Sequence, residues 1–173
     1  MRTGWIVAGI AGALAIAVPA VARAQHDFNR FAGQLLADQN AERARKGVAP
    51  LAWSDDLAQQ AQSWADRLAH ENRMYHSDRE TRHGAGENLW MGPSGYYGPD
   101  DMIGGFLAER RYFRAGTFPQ VSATGRWEDV GHYTQVIWPG TQQVGCAVAH
   151  SRSNDFLVCR YWPAGNVFGH PVS

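Results

Sequence analysis

The sequence predicts an α+β domain in which the helices come first and the strands come last. Apolar residues recur at helical spacing in the first part of the chain, whereas β-branched residues concentrate after residue 131. The chain has 173 residues, 45% of them hydrophobic, which suits one packed core and not two. Helices followed by strands favour a domain built from packed layers.

The first 24 residues have the pattern of a secretory signal peptide. Arg2 supplies the positive charge, residues 5–18 are apolar, and Ala22, Arg23 and Ala24 form a small-x-small cleavage site. We expect cleavage after Ala24 and a single mature domain, residues 25–173, that is secreted or periplasmic. The apolar run is shorter than the roughly 20 residues that cross a bilayer, so we expect no transmembrane span in the mature protein.

The charge balance argues against nucleic acid as a partner. The chain has 16 basic and 16 acidic residues, and removal of residues 1–24 takes only Arg2 and Arg23, leaving 14 against 16. A nucleic-acid-binding domain of this size needs a basic face, which this composition does not supply. We expect a monomer with no nucleic-acid partner.

Three helices are predicted in the first two thirds of the mature chain. The first covers residues 27–46 and ends at Gly47. The second begins after Ser54, a good N-cap residue, and carries an apolar stripe that includes Leu57 and Leu68. The third covers residues 100–113.

Strands are predicted at residues 88–90, 132–138, 144–150 and 156–162, and the last two flank a turn-rich spacer at 151–155. In an antiparallel hairpin, the residue numbers of two facing residues always add up to the same total. A turn centred in the spacer therefore places Cys146 opposite Cys159. Because export permits disulfides, we predict a structural bond between these two cysteines.

Glu109 interrupts the apolar stripe of the third predicted helix, between Phe106 and Phe113. A buried carboxylate is costly unless it is hydrogen-bonded, paired or bound to a cation. Either Glu109 faces a polar cavity with a positive partner, or it reaches out to Arg110 or Arg114, or the helix register differs by one residue.

His76, Glu87 and His132 are further candidates because each lies in an unusual setting. His76 follows the second helix, Glu87 lies among glycines, and His132 opens a predicted strand. Two imidazoles and two carboxylates can hold a divalent transition metal or form a hydrogen-bonded network. No metal-site spacing such as His-Glu-x-x-His is present, so the residues alone leave both possibilities open.

Four ordered motifs resemble the CAP superfamily, which comprises the cysteine-rich secretory proteins, antigen 5 and the plant pathogenesis-related class-1 proteins. They are Gly-His-Tyr-Thr-Gln-Val-Ile-Trp at 131–138, Phe-Leu-Val-Cys-Arg-Tyr-Trp-Pro at 156–163, Gly-Glu-Asn-Leu at 86–89 and His-Ser at 76–77. The resemblance implies a three-layer α-β-α sandwich around an antiparallel sheet, with a cleft that carries a His/Glu tetrad.

Matching the family's motifs to this sequence implies that the tetrad consists of His76, Glu87, Glu109 and His132. Glu109 belongs to an aromatic-x-x-Glu-x-x-Tyr pattern with Phe106 and Tyr112, as in the family. Glu128 is nearer to His132 in sequence but lies outside that helix, so it ranks second.

Three functions are compatible with this tetrad. The first is a secreted binding domain that holds zinc or another divalent cation through His76 and His132, with a lipid, sterol-like or peptide ligand nearby. The second is a metal-dependent hydrolase or peptidase in which Glu87 or Glu109 acts as general base, or in which Ser77 is a nucleophile. The third is a buried polar network that specifies the fold and binds nothing. We favour the first, because two imidazole ligands are fewer than the three protein ligands usual at catalytic zinc.

Overall fold

A computed structural model describes the backbone of residues 20–173 and the side chains from residue 29 onwards. Residues 1–19, and with them most of the predicted signal peptide, lie outside the described residues. Among the described residues, no helix combines the length and the apolar character needed to cross a membrane.

Four helices pack on the two sides of a sheet. Helix α1 (Ala20–Arg45), α3 (Pro99–Leu107) and α4 (Gly131–Val136) lie on one side, and α2 (Asp55–Glu71) covers the other. The predicted N-cap of α2 is confirmed, because the hydroxyl of Ser54 accepts a hydrogen bond from the Leu57 amide at 3.3 Å. Helix α1 starts earlier than predicted, since the alanines that precede Asp27 are also strong helix formers.

The main sheet has four strands in the order β1-β4-β5-β2. Strands β2 (Gly86–Pro93), β4 (Gln143–His150) and β5 (Asn154–Trp162) run antiparallel, and β1 (Ala52–Trp53) adds a short parallel pair to β4. A separate two-stranded sheet joins β3 (Gly116–Thr117) to β6 (Pro171–Val172). The sheet is therefore mixed, although its three long strands are antiparallel as predicted.

The predicted hairpin register is correct. Cys146 lies opposite Cys159 in the β4–β5 pairing, and the two cysteines form a disulfide bond. Both sulfurs are buried in the core between the sheet and helices α1, α3 and α4, whereas the neighbouring residues Ala147 and Val158 pack towards α2. Because both faces of β4 and β5 are covered, the fold has three layers, and the predicted α-β-α sandwich is confirmed.

The strand predicted at residues 132–138 is wrong. The structure forms a 3₁₀ helix at Trp127–Val130 and continues directly into helix α4. Four consecutive residues of α4, from Tyr133 to Val136, are buried, which a strand with one open face would not produce. The strand-forming residue types favoured the wrong prediction, and tertiary packing overrides that preference here.

Two element boundaries also differ from the prediction. The predicted third helix stops being α-helical at Leu107 and continues as a 3₁₀ helix, Ala108–Tyr112, which carries Glu109. Strand β2 extends well beyond residues 88–90 because all of its residues pair with β5.

Candidate functional site

His76 and Glu87 form the first pair of the site. Glu87 lies at the start of β2, and His76 lies in the segment that follows α2. The Nδ1 atom of His76 is 2.6 Å from Oε1 of Glu87, and the His76 side chain remains 55% exposed. The imidazole is thus held at one nitrogen by a carboxylate while its other edge is open to solvent.

The Glu87 carboxylate is completely buried and is surrounded by donors. Its Oε1 accepts from the Ser77 amide at 3.0 Å, and its Oε2 accepts from the Ser77 hydroxyl at 2.8 Å. Nη2 of Arg160, the cross-strand neighbour on β5, lies 3.1 Å from Oε2. Burial alone raises the pKa of Glu87, but the His76 contact, the charge of Arg160 and the Ser77 hydrogen bonds outweigh it and bring the pKa below its usual value.

Glu109 and His132 form the second pair, in which Glu109 also caps a helix. Oε1 of Glu109 is 2.6 Å from Nδ1 of His132, and its Oε2 accepts from the amides of His132 and Tyr133, both at 3.0 Å. These amides belong to the first turn of α4, whose N–H groups have no intrahelical acceptor. A carboxylate from another element therefore satisfies them and lies favourably at the positive end of the helix.

The His132 imidazole lies between a polar and an apolar neighbour. The ring of Phe106 stacks on it with a centroid separation of 5.0 Å and an interplanar angle of 20°. Because Phe106 is buried and Glu109 holds Nδ1, the ring orientation is restrained from two directions.

The two pairs lie on opposite sides of β2, the edge strand of the sheet. Glu87 shares the face of Leu89, which packs in the cluster under α2, whereas the amide of Asn88 points to the other face and donates to the His132 carbonyl at 3.0 Å. Asn88 thus connects the second pair to the strand that carries the first. Within the described part of the chain, neither imidazole Nε2 has a hydrogen-bond partner, so both are available to a ligand.

Several alternatives from the sequence are decided by these contacts. Glu109 pairs with neither Arg110 nor Arg114, and its side chain is only 19% exposed. Glu128 is exposed and lies outside both pairs. The hydroxyl of Ser77 donates to Glu87 and is not held by a histidine, so Ser77 and His76 do not form a nucleophile–base pair.

A buried polar network beside the second pair was not predicted. The hydroxyl of Tyr133 donates to Glu42 at 2.8 Å, and Arg110 contacts the other Glu42 oxygen at 2.9 Å. Glu42 follows Leu35 and Gln39 at helical spacing on the buried side of α1. Gln39 and Glu42 thus continue the apolar stripe of α1 with polar residues. This pattern is the sequence signal by which the network can be found.

The donor set limits what metal the site can hold. The described residues contain no group of three or more His, Cys, Asp or Glu arranged to hold a metal ion. The arrangement offers two imidazole nitrogens, each backed by a carboxylate on the opposite ring nitrogen, which is the usual support of a metal-ligating histidine.

A cavity of about 380 Å³ opens next to the second pair. Among the four tetrad residues, Glu109 alone lines it. Its remaining lining is mixed in character, with Tyr112 and Ala108 beside Arg111, Asp129 and others. The cavity is large enough for a ligand fragment next to His132 and Glu109.

Comparisons with known proteins agree with this architecture. The sequence profile of the cysteine-rich secretory protein family, CAP, matches residues 36–161. Pathogenesis-related protein PRMS from Zea mays is 34% identical over 137 residues, covering 78% of this chain and 77% of the relative. Secreted protein RBT4 from Candida albicans is 33% identical over 143 residues, covering 81% of this chain and 37% of the relative.

A solved structure has the same fold. The crystal structure of NaASP2 with Zn²⁺ superposes with a TM-score of 0.68 at 22% identity, covering 80% of this chain and 82% of that one. The match of the family profile to well over half of the chain agrees with the four motifs and with the layered architecture. The chain is therefore a member of the cysteine-rich secretory protein (CAP) family.

Proposed function

We propose that this protein is a secreted binding domain whose His/Glu tetrad holds a divalent cation, with zinc as the first ion to test. The single observation that carries the proposal is the common geometry of the two pairs. In each pair a carboxylate contacts Nδ1, and Nε2 has no partner among the described residues.

Each carboxylate prepares its imidazole for metal ligation. A carboxylate that accepts from Nδ1–H keeps the proton on that nitrogen, so the lone pair resides on Nε2 and the ring is oriented. His76 and His132 would be the ligands, and Glu87 and Glu109 would support them from behind. A bound zinc ion would supply a Lewis-acidic position for a further ligand.

The surroundings support a ligand-binding role for the cleft. The cavity beside Glu109 combines aromatic and charged residues, which suits a lipid, sterol-like or peptide ligand with one polar end. Secretion is supported by the signal-peptide pattern of residues 1–24 and by relatives such as secreted protein RBT4.

Isothermal titration calorimetry of the purified protein with zinc tests the proposal. We expect one zinc per chain, with affinity that falls as the pH is lowered, because a protonated imidazole cannot ligate. The double variant His76→Ala, His132→Ala is expected to abolish binding. Its matched control is His70→Ala, His170→Ala, which removes two exposed histidines away from the pairs.

The carboxylates provide a second, graded test. Glu87→Gln and Glu109→Gln are each expected to weaken zinc binding by about 10- to 100-fold, the usual effect of removing a supporting carboxylate. Unchanged zinc affinity in the His76→Ala, His132→Ala variant would refute the metal proposal. Circular dichroism of each variant checks that the fold is retained.

A further inference from the structure

Arg160 is a buried cation whose donors are only partly used. Its exposed fraction is 4%, and only Nη2 has a partner, the carboxylate of Glu87. Within the described residues, Nε and Nη1 are buried and have no hydrogen-bond acceptor. Leaving donors of a charged group without an acceptor in the interior is costly, and native proteins rarely do so without a bound water or ion.

A second arginine, Arg82, also has a buried donor without an acceptor among the described residues. Arg82 ends the 3₁₀ helix Arg79–Arg82, and its Nε is buried without an acceptor. In the part of the chain that the structure describes, Arg82 forms no ion pair. Burial lowers the pKa of Arg160, the charge of Glu87 raises it, and the charge of Arg82 lowers it.

Arg82 lines a second cavity, which three elements enclose. This cavity has a volume of about 290 Å³. It is lined by the first turn of α2 (Ser54, Leu57), by Arg82 and by the paired strand ends Gln143 and Trp162.

The strand register places Arg160 on the sheet face that borders this cavity. Arg160 shares the sheet face of Trp162, two residues further along β5, and it lies opposite Gly145 on β4. A side chain at Gly145 would collide with the backbone of Ser54 and Ala58, so the first turn of α2 lies directly against the sheet there. Arg160 therefore lies on the sheet face that carries Trp162 and the first turn of α2, both of which border the cavity.

We propose that Arg82 and Arg160 form a binding site for an oxyanion, a carboxylate or phosphate group that enters through this cavity. Such a group accepts from planar guanidinium donors in a bidentate manner and offsets the repulsion between the two cations. The site lies on the α2 face of the sheet and involves neither proposed metal ligand, although Arg160 shares Glu87 with His76.

Other charges near the site do not replace the proposed ligand. Glu87 neutralises Arg160 in part, but its two oxygens are shared with His76 and Ser77. Asp56 and His83 line the cavity from exposed positions, and no ion pair joins Asp56 to Arg82 among the described residues.

Thermal unfolding in matched salts tests this site. The full protein is unfolded in EDTA at pH 7 and constant ionic strength, with chloride as reference and inorganic phosphate or acetate as probe. We expect at least one probe to raise Tm in a saturable way. Arg82→Gln should weaken the apparent affinity by roughly tenfold or more, since it removes a charge-assisted hydrogen bond. The control Arg79→Gln removes the same charge from an exposed position on the same 3₁₀ helix and should behave as wild type.

Further arms identify the source of the oxyanion. A phosphate monoester is compared with a tripeptide whose carboxyl terminus is free or amidated, and a Tm rise with only one class assigns the ligand to that class. The effect should persist in the His76→Ala, His132→Ala variant, which separates it from zinc binding. The proposal is overturned if no probe raises Tm above its value in chloride, in which case water molecules accept from the free donors. It is also overturned if the probes shift the Tm of Arg82→Gln and of Arg79→Gln equally.

Discussion

The replacement Arg43→Lys tests how strongly a buried arginine holds α1 to the rest of the domain. Arg43 has no exposed surface, and its guanidinium donates to the carbonyls of Ala49, Val136, Trp138 and Thr141 at distances of 2.7–2.9 Å. These acceptors lie before β1, at the end of α4 and in the connection to β4. One side chain therefore joins α1 to residues 136–141, which lie 93–98 positions further along the chain.

The structure sets the size of the expected effect. A lysine has one nitrogen in place of the planar fork, so at least two of these carbonyls lose their donor. Each buried carbonyl left unpaired costs about 1–3 kcal/mol, so we expect a loss of about 2–6 kcal/mol from the free energy of unfolding. Domains of this kind have about 5–15 kcal/mol in total, so the variant should be folded but much less stable.

Urea denaturation followed by tryptophan fluorescence measures this loss. With an m-value of about 2 kcal/mol/M, the midpoint should fall by about 1–3 M. The matched control is Arg45→Lys on the same helix, where the side chain is 62% exposed. That control should change stability by less than about 0.5 kcal/mol. A loss below about 1 kcal/mol for Arg43→Lys would refute the assignment of Arg43 as the residue that joins these segments.

Three further predictions concern the hairpin and the second pair. Replacing both Cys146 and Cys159 by alanine should cost about 3 kcal/mol, because the disulfide closes a short loop, and reductant should lower wild-type stability similarly. Burial raises the pKa of Asp155, but its hydrogen bonds outweigh this and hold the pKa below the usual 3.8. The carboxylate therefore stabilises the fold above pH 4 and loses that contribution as the pH falls through its lowered pKa. In Asp155→Asn, the free energy of unfolding should therefore fall less steeply as the pH is lowered. In urea denaturation, Glu109→Ala should lower the free energy of unfolding by about 2–4 kcal/mol, because two amides at the start of α4 lose their acceptor. Glu128→Ala, at an exposed position, should leave the stability nearly unchanged. Equal losses in the two variants would contradict the capping role of Glu109.

Part of the candidate site follows from sequence patterns. Glu109 stood out because a carboxylate interrupted an apolar stripe, and the structure gives it three donors in a half-buried position. Motif resemblance selected His76, Glu87 and His132, and the structure places each histidine against one of the two glutamates. Whether these four residues bind a metal remains the proposal to be tested.

The remaining features of the site depend on contacts that no local pattern encodes. Arg160 reads as an ordinary strand residue, yet its burial beside Glu87 follows from the pairing of β5 with β2. The Glu42–Tyr133 hydrogen bond joins residues 91 positions apart. Such partners are chosen by packing of whole elements and not by the spacing of neighbouring residues.

The sequence by itself determined helices α1 and α2, the N-cap of α2, and the hairpin that joins Cys146 to Cys159. These features depend on periodicity and on turn position, which act over a few residues. Only the tertiary structure decided that residues 131–136 form a helix, because the acceptor that caps its first turn, Glu109, comes from another element. Local preference favoured a strand there, whereas the burial of residues 133–136 and the hydrogen bonds to Glu109 accompany a helix.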